Sequence, residues 1–467
     1  MQSGRSAPPE SPAPILQRGG NTTLLYRHAE VCTRDSMLEL KFVRAHPEIV
    51  RADLTKRGDT EKLAWVDEVL EMDRRARELT VAIGSLRNRR NVISREISQA
   101  RKAGEEIEGG LLAEAAGLPA RVNEAEAEYD DLTEAIKYRL MRLPNILHES
   151  VPIGKDDSEN VEIRRWGGEP NLPAFDLKNH GALAVEHDWA DFERAAKIAG
   201  SGFYFLKGRL ALLDMALQRF AMDILVERGY TPPIIPPYMM NRAAYEGVTD
   251  LADFENVMYK IDGEDEYLIA TSEHPMAAMY SDEIFEEKDL PLRLAGGLSP
   301  CFRREIGGAH GLDTKGLFRV HQFHKVEQFI YATPDQSWDL HEELMANAEA
   351  VFQKLGLPYR VVLICTGGDI GTVAAKKYDL EVWMPREERY REAVSCSNCT
   401  AYQAVRLNIK VRDPTEFTEK RYLHTLNSTA IATSRAIRAI LENYQNEDGS
   451  VTIPKALRPY LYGEETL

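Results

Sequence analysis

Between Glu61 and Gly104 the chain repeats its apolar residues every three and four positions. Val69, Ala76, Ile83, Arg90 and Ile97 take one heptad position, and Met72, Leu79, Leu86, Ile93 and Ala100 take the other. Arg90 is the one charge in that seam. The spacing predicts a long helix with a coiled-coil stripe. Gly104, Gly109 and Gly110 interrupt it. A second heptad register follows, Ala115, Val122, Tyr129, Ile136 and Leu143 alternating with Leu111, Leu118, Ala125, Leu132 and Arg139. Two such helices across a short glycine turn predict an antiparallel hairpin, an arm of roughly 60 Å. Leu143-Pro144-Asn145 ends it, so residues 37–143 form one unit. Residues 1–36, with Pro8-Pro9, Pro12 and Pro14, carry no core pattern and no signal-peptide layout. They are expected to be a disordered extension, or to follow an upstream start codon.

Residues 144–200 are an irregular linker rich in Pro and Gly, leading into a larger unit, 201–467. There Leu206–Glu227 reads as an amphipathic helix, followed by a turn and short strand through Pro236. Residues 299–327 place strand-like apolar positions on either side of a glycine-rich turn, the layout of a long antiparallel hairpin. Arg303, Arg304 and Glu305 leave on one arm of it; Arg319, His321, Lys325 and Glu327 return on the other. A buried sheet gathers such charges when a charged ligand lies across it, and arginine forks suit phosphate. A solvated hairpin edge with alternating charge is the competing reading. Farther on, Asn427, Ser428 and Thr429 precede an apolar-periodic helix, Ala436–Tyr444, with Arg435 in its first turns. The strands and helices do not alternate as regular βαβ units, and there is no GxGxxG or Walker loop. An α+β fold with a mostly antiparallel sheet flanked by helices is predicted.

Charge changes this picture in one place. The chain of 467 residues has a formal net charge of −16, which argues against a protein that coats nucleic acid non-specifically. Yet residues 87–102 hold Arg87, Arg89, Arg90, Arg95, Arg101 and Lys102 against the single acid Glu96. A solvated coiled-coil face would carry mixed signs, as residues 121–134 do; the one-signed excess points to RNA backbone contact. No run of about 18 apolar residues predicts a membrane span. The 5 cysteines are few and odd in number, as suits reduced cytosolic thiols. Cys396 and Cys399 form a CxxC without a second pair at zinc-ligand spacing, so zinc is not expected.

Residues 299–327 and 425–444 together resemble motifs 2 and 3 of class II aminoacyl-tRNA synthetases. Thr271-Ser-Glu273, His321-Gln-Phe-His-Lys-Val-Glu327, Asp379-Leu-Glu-Val-Trp-Met-Pro385, Ser395-Cys-Ser-Asn-Cys399 and Leu457-Arg-Pro-Tyr460 narrow the resemblance to the seryl-tRNA synthetase family. The sequence type is archaeal and eukaryotic-like, and the match runs over roughly residues 37–467. The resemblance implies a cytoplasmic homodimer, assembled through the motif 1 helix and strand around Pro236. It also implies that L-serine is activated by ATP and Mg²⁺ as seryl-adenylate and transferred to tRNA(Ser), and to tRNA(Sec) where that exists. The basic arm would embrace the long variable arm of the tRNA, because duplex RNA is read mainly by shape and phosphate.

By the same resemblance Arg303 bridges the serine carboxylate and the α-phosphate, with Arg304 on the same strand. Glu305 accepts from the adenine amino group. Arg435 holds the γ-phosphate and covers one adenine face, with Phe323 on the other and the backbone of Val320 beside it. Glu381 is expected to hold Mg²⁺, and Val382, Trp383 and Met384 to line the nucleotide pocket. Thr271, Ser272, Glu273 and Glu327 are expected at the ammonium and hydroxyl end of serine, with Asn427 and Thr429 completing the pocket. The family usually has an acid where Ala401 stands and an arginine where Val405 stands, so this loop is expected to be softened. An alternative is a synthetase-like ligase that loads a carrier protein or a biosynthetic intermediate; the intact basic arm argues against it.

Overall fold

Three short-range signals start the arm. His46 precedes Pro47, whose missing N–H suits a first helical position. Gly58 takes φ 73, a left-handed conformation that stops the second helix. Asp59 then caps the third, its carboxylate accepting from the Lys62 amide at 3.0 Å. The helices are α1 (Leu40–Ala45), α2 (Pro47–Arg57), α3 (Thr60–Ala103) and α4 (Gly109–Leu140). This computed structural model describes residues 39–168, 172–251, 255–304, 316–412 and 420–467. The expectations for residues 1–36 and for Glu305 lie outside them.

α3 has 44 residues, about 65 Å of helix. Arg75 pairs with Glu128, Arg89 with Glu114 and Arg139 with Glu68, so α4 runs back antiparallel to α3. The seam buries Val66, Val69, Ala76, Leu79, Ile83 and Ile93 of α3 against Leu118, Val122 and Ile136 of α4. One residue of the predicted stripe is corrected. Arg90 is exposed, since an unpaired guanidinium is costly to bury, and Ile93 fills the seam nearby.

The arm is rooted in the larger unit. Phe42, Val43, Ile49, Val50, Leu54, Val66, Val69, Ile136, Leu143 and Ile146 form one core with Tyr402, which belongs to that unit. Buried Asn145 fastens the exit. Its side-chain amide donates to the carbonyls of Val373 and Cys399 at 2.9 and 2.7 Å.

The larger unit is built on an eight-stranded sheet. Its strands are β1 (Val161–Trp166), β2 (Pro233–Ile234), β3 (Leu292–Phe302), β4 (Gln322–Ala332), β5 (Tyr359–Leu363), β6 (Lys376–Met384), β7 (Arg389–Asn398) and β8 (His424–Ala432). In space the order is β1-β5-β6-β7-β8-β4-β3-β2, antiparallel throughout except for β2 against β3. The helix predicted from Leu206 begins at Gly208 and runs to Glu227 (α5). With α6 (Ser337–Leu355) and α7 (Thr433–Asn443) it covers one sheet face. Period-two alternation divides the strands. Val326 and Ile330 of β4, Leu380, Val382 and Met384 of β6, and Leu426 and Ala430 of β8 enter that helical core. Phe323, Lys325 and Glu327 of β4, Lys377 of β6, and Asn427 and Thr429 of β8 face the other side, where a cavity opens; a register shift after Thr429 then turns Ile431 into the core and Ala432 toward the cavity. Among the described residues no helix is long and apolar enough to cross a membrane.

Candidate active site

A cavity of about 220 Å³ lies on that open face. β4 contributes Phe323, Lys325 and Glu327; β8 contributes Asn427, Thr429 and Ala432; β6 contributes Lys377. β7 contributes Glu392, Ala393 and Ser395, which strict alternation would not put on one side. A register shift explains them. Leu380 faces Val394 but Glu381 faces Glu392, so Ala393 is an extra bulged residue that carries Glu392 to the same face as Ser395. Arg303 enters from the end of β3 and Arg435 from the first turn of α7.

Charge in the cavity is prepared in pairs. Lys325 Nζ lies 2.5 Å from Glu327 Oε2, and the Thr429 hydroxyl donates to the same oxygen at 3.3 Å. Lys377 meets Asp369 at 3.1 Å, and Arg435 meets the Glu392 carboxylate at 2.9 Å. Burial first, and then Glu327, pushes Glu273 up to about 7. Burial also raises Glu327, against the pull of Lys325. Burial would raise Glu392 too, but Arg435 and Lys377 outweigh it and hold this carboxylate well below the ordinary range. One end therefore holds two carboxylates that gain from a cation. The other holds cations whose counter-charges can be exchanged.

Arg303 is fixed at its root, its amide donating to His321 O at 2.9 Å and its Nε to Ala270 O at 3.2 Å. Its guanidinium lies 5.5 Å from the Phe323 ring centre. Phe318 faces the cavity with Arg391, Arg435 and Arg438 all within cation–π range of its ring, at 5.4, 5.5 and 4.6 Å. Val320 also lines the cavity.

Thr271 and Ser272 sit behind the cavity instead of lining it. The Thr271 hydroxyl accepts from the Glu273 amide at 3.1 Å, so it sets the turn that presents Glu273. Arg304 is exposed and also outside the lining. The stretch Glu381-Val-Trp-Met384 is corrected. Val382 and Met384 are wholly buried in the helical core, because four consecutive strand residues cannot share a face. Trp383 packs edge-on against Tyr390, with ring centres 5.1 Å apart. Glu381 does not line the cavity; its carboxylate takes Arg360 of β5 at 2.6 Å.

Sequence reasoning assigns no role to Glu392, Ser395, Lys377, Phe318 or Gln403. The signal for Glu392 lay in the words around it, but the bulge at Ala393 hides it from any alternation argument. Cys396 and Cys399 are buried, and Cys399 Sγ accepts from Asn427 at 3.4 Å. Among the described residues no three His, Cys, Asp or Glu side chains gather to hold a metal ion by themselves. An ion such as Mg²⁺, which beside phosphates takes most of its ligands from them and from water, would need only a partial site from the protein. Glu392, 35% exposed, and Ser395 offer such a partial site; Glu381 does not.

On the arm, Arg87 pairs with Glu126 and Arg89 with Glu114 across the hairpin, while the Arg95 Nε donates to the Asn91 carbonyl at 3.2 Å. Arg90, Arg101 and Lys102 are exposed beside them. The one-signed run in the sequence is thus partly balanced by acids of α4.

Comparison with known proteins agrees with this geometry. The family model "Seryl-tRNA synthetase N-terminal domain" matches residues 37–147, and "tRNA synthetase class II core domain (G, H, P, S and T)" matches residues 257–444. A serine–tRNA ligase of Methanoculleus marisnigri is 91% identical over 92% of this chain and 100% of its own length; that of Methanocella arvoryzae is 70% identical over the same shares. The crystal structure of seryl-tRNA synthetase from Pyrococcus horikoshii complexed with ATP aligns with TM-score 0.85 at 52% identity, covering 92% of this chain and 99% of that one. A cytoplasmic serine–tRNA ligase from Naegleria fowleri in complex with AMP aligns with TM-score 0.79 at 35% identity, over 92% and 98%. With both the arm and the core accounted for, the chain belongs to the seryl-tRNA synthetase family of class II aminoacyl-tRNA synthetases.

Proposed function

We propose that the cavity joins L-serine to ATP as seryl-adenylate, and that the chain then transfers the seryl group to tRNA(Ser). The observation that carries this reading is the division of one cavity, of about 220 Å³, into a carboxylate end and a guanidinium end. The serine ammonium goes to Glu273 and Glu327, whose raised affinity for protons is equally a raised affinity for a cation. Its hydroxyl goes to the Thr429 end, beside Asn427. Its carboxylate and the α-phosphate are two anions forced together, and Arg303 lies where it can bridge them. Adenylate formation needs no general base, since serine enters as a carboxylate and pyrophosphate leaves.

The triphosphate takes Arg435, which in turn releases Glu392. That carboxylate, with Ser395, is then the protein's contribution to Mg²⁺. When bound, the ion neutralises developing charge on the phosphates. Phe323 and Val320 border the adenine, and Phe318, ringed by arginines, closes the same side.

The arm supplies tRNA. Its exposed cations suit the backbone of the long variable arm, read by shape and charge. The chain works as a homodimer in the cytoplasm, and the apolar groove beside edge strand β2 supports the dimer. Ile235, Met239 and Met279 line that groove and are 64%, 44% and 50% exposed. A carrier-protein ligase would not need the hairpin. Serine-dependent ATP–pyrophosphate exchange, followed by charging of tRNA(Ser), tests the reading. Exchange with another amino acid but not serine, or exchange without charging, would overturn it.

A further inference from the structure

Two side-chain amides from different elements converge on one oxygen of Glu273. Asn427 Nδ2 donates to Oε1 at 3.0 Å, and Gln403 Nε2 donates to the same atom at 3.2 Å. Asn427 comes from β8, inside the cavity. Gln403 is wholly buried behind it and lines no part of the cavity. Its Nε2 also reaches the Val248 carbonyl at 3.1 Å, at the end of the helix Arg242–Val248.

The backbone of Gln403 lies in a short helix, Tyr402–Arg406, that is bolted to the root of the arm. Tyr402 is part of the arm-root core. Arg406 donates to the carbonyl of Leu140, the last residue of α4, at 3.2 Å, and its guanidinium stacks 3.3 Å from the Tyr402 ring centre. Ala401 and Val405 remove an expected ion pair from this segment, and these contacts hold it instead.

We propose that Gln403 is a positioning residue for the amino-group subsite: with Asn427 it pins Oε1 of Glu273, leaving Oε2 to the serine ammonium, and it takes its own place from the docked arm root. This rests on Glu273 being the ammonium acceptor. A donor to the carboxylate favours its ionised form, so Gln403 both orients Glu273 and keeps it charged near neutral pH. The charged and titratable groups around Glu273 are Glu327 and Lys325 of β4, Arg303 at the end of β3, Cys399 after β7, and Tyr245 of the Arg242–Val248 helix. None of them donates a hydrogen bond to Oε1 among the described residues.

The test is serine-dependent pyrophosphate exchange by the full chain across neutral pH, for Gln403→Leu, Gln403→Glu and Glu273→Gln. Gln403→Leu should raise the KM for serine about tenfold, the scale of one missing bond to a charged acceptor, with the KM for ATP unchanged. The acid limb of kcat/KM for serine should move to higher pH, because the charged form of Glu273 is then short of a donor. A merely structural role would lower kcat and disturb both substrates without moving that limb. Should Gln403→Leu fail to fold, the isosteric Gln403→Glu decides: its serine defect should deepen as pH rises and the new carboxyl ionises beside Glu273 and Glu327. A parental serine KM and acid limb in the Gln403 variants, while Glu273→Gln loses serine binding, would overturn the proposal and leave the subsite reading intact. A parental serine KM in Glu273→Gln would overturn both.

Discussion

Arginine–glutamate pairs occur in the cavity and on the arm, and they are not equivalent. Arg435 and Glu392 are 26% and 35% exposed and share the cavity with Arg303, Lys325, Glu327 and Lys377. Arg87 and Arg89 are 57% and 45% exposed and meet one acid each across a hairpin surrounded by water. An exposed pair is weak and screened by salt, so a phosphate can replace the carboxylate with little penalty. The arm pairs are in effect parked cations. In the cavity, displacing Glu392 from Arg435 would have a second use on the proposed function, because the freed carboxylate could then serve a Mg²⁺ ion brought by the triphosphate. On the proposed function, the same residue types would hold RNA loosely in one region and build a reaction site in the other.

The comparison predicts its largest effect at the guanidinium end. Arg303→Ala and Arg435→Ala should each lower kcat/KM for pyrophosphate exchange roughly 10²–10³-fold, the scale of removing a charge-directed donor from a site that excludes water. Near-parental exchange in Arg303→Ala would remove it from the bridge between the two anions. Next comes the choice between two acids. Glu392→Gln should cut exchange by about 10²-fold and raise the Mg²⁺ concentration needed, whereas Glu381→Gln should alter chiefly stability, because Arg360 then keeps only its longer pair with Glu162, at 3.6 Å. The reverse ranking would return the metal to Glu381.

Smaller effects belong to the arm and to specificity. Replacing Arg87, Arg89 and Arg95 together with Gln should weaken tRNA binding while leaving exchange unchanged. It should also flatten the log–log salt slope by roughly 0.7–0.9 for each phosphate that is no longer neutralised. An unaltered slope would show that these cations serve only Glu126, Glu114 and the Asn91 carbonyl. Thr429→Ala should narrow the preference for serine over alanine by about tenfold, since a pocket built around a hydroxyl discriminates by leaving polar partners unpaired. Comparing kcat/KM for the two amino acids checks it, and an unchanged ratio would place hydroxyl recognition elsewhere.

What the sequence disclosed follows from which physics is local. Heptad spacing is local, and it located the first arm helix within about a residue, Thr60–Ala103; the second, read from Leu111 to Leu143, runs Gly109–Leu140, so Gly109 and Gly110 open that helix and do not interrupt it. It misplaced Arg90, because a repeat of seven assigns a position without asking whether the side chain can be buried there. The charged hairpin was visible as an excess of cations beside apolar strand positions. Glu392 was not, because the bulge at Ala393 is a feature of two strands paired across the sheet. Glu381 is a ligand only by the family resemblance; an acid in an apolar strand needs a partner, and that partner is Arg360, which only the β5–β6 pairing brings opposite it. Gln403 was out of reach for the same reason, lying 130 positions from Glu273 in sequence.

The division of labour between arm and cavity is tested most directly by removing the arm. A chain lacking about residues 75–130, with the hairpin closed, keeps the root core of Phe42, Val66, Val69, Ile136, Leu143 and Tyr402. Pyrophosphate exchange and tRNA charging are then measured side by side with the intact chain. The predicted result is parental serine-dependent exchange with charging lowered by orders of magnitude. Abolished exchange in a folded protein, with tRNA binding and its salt dependence retained, would contradict it and place the RNA site on the catalytic body.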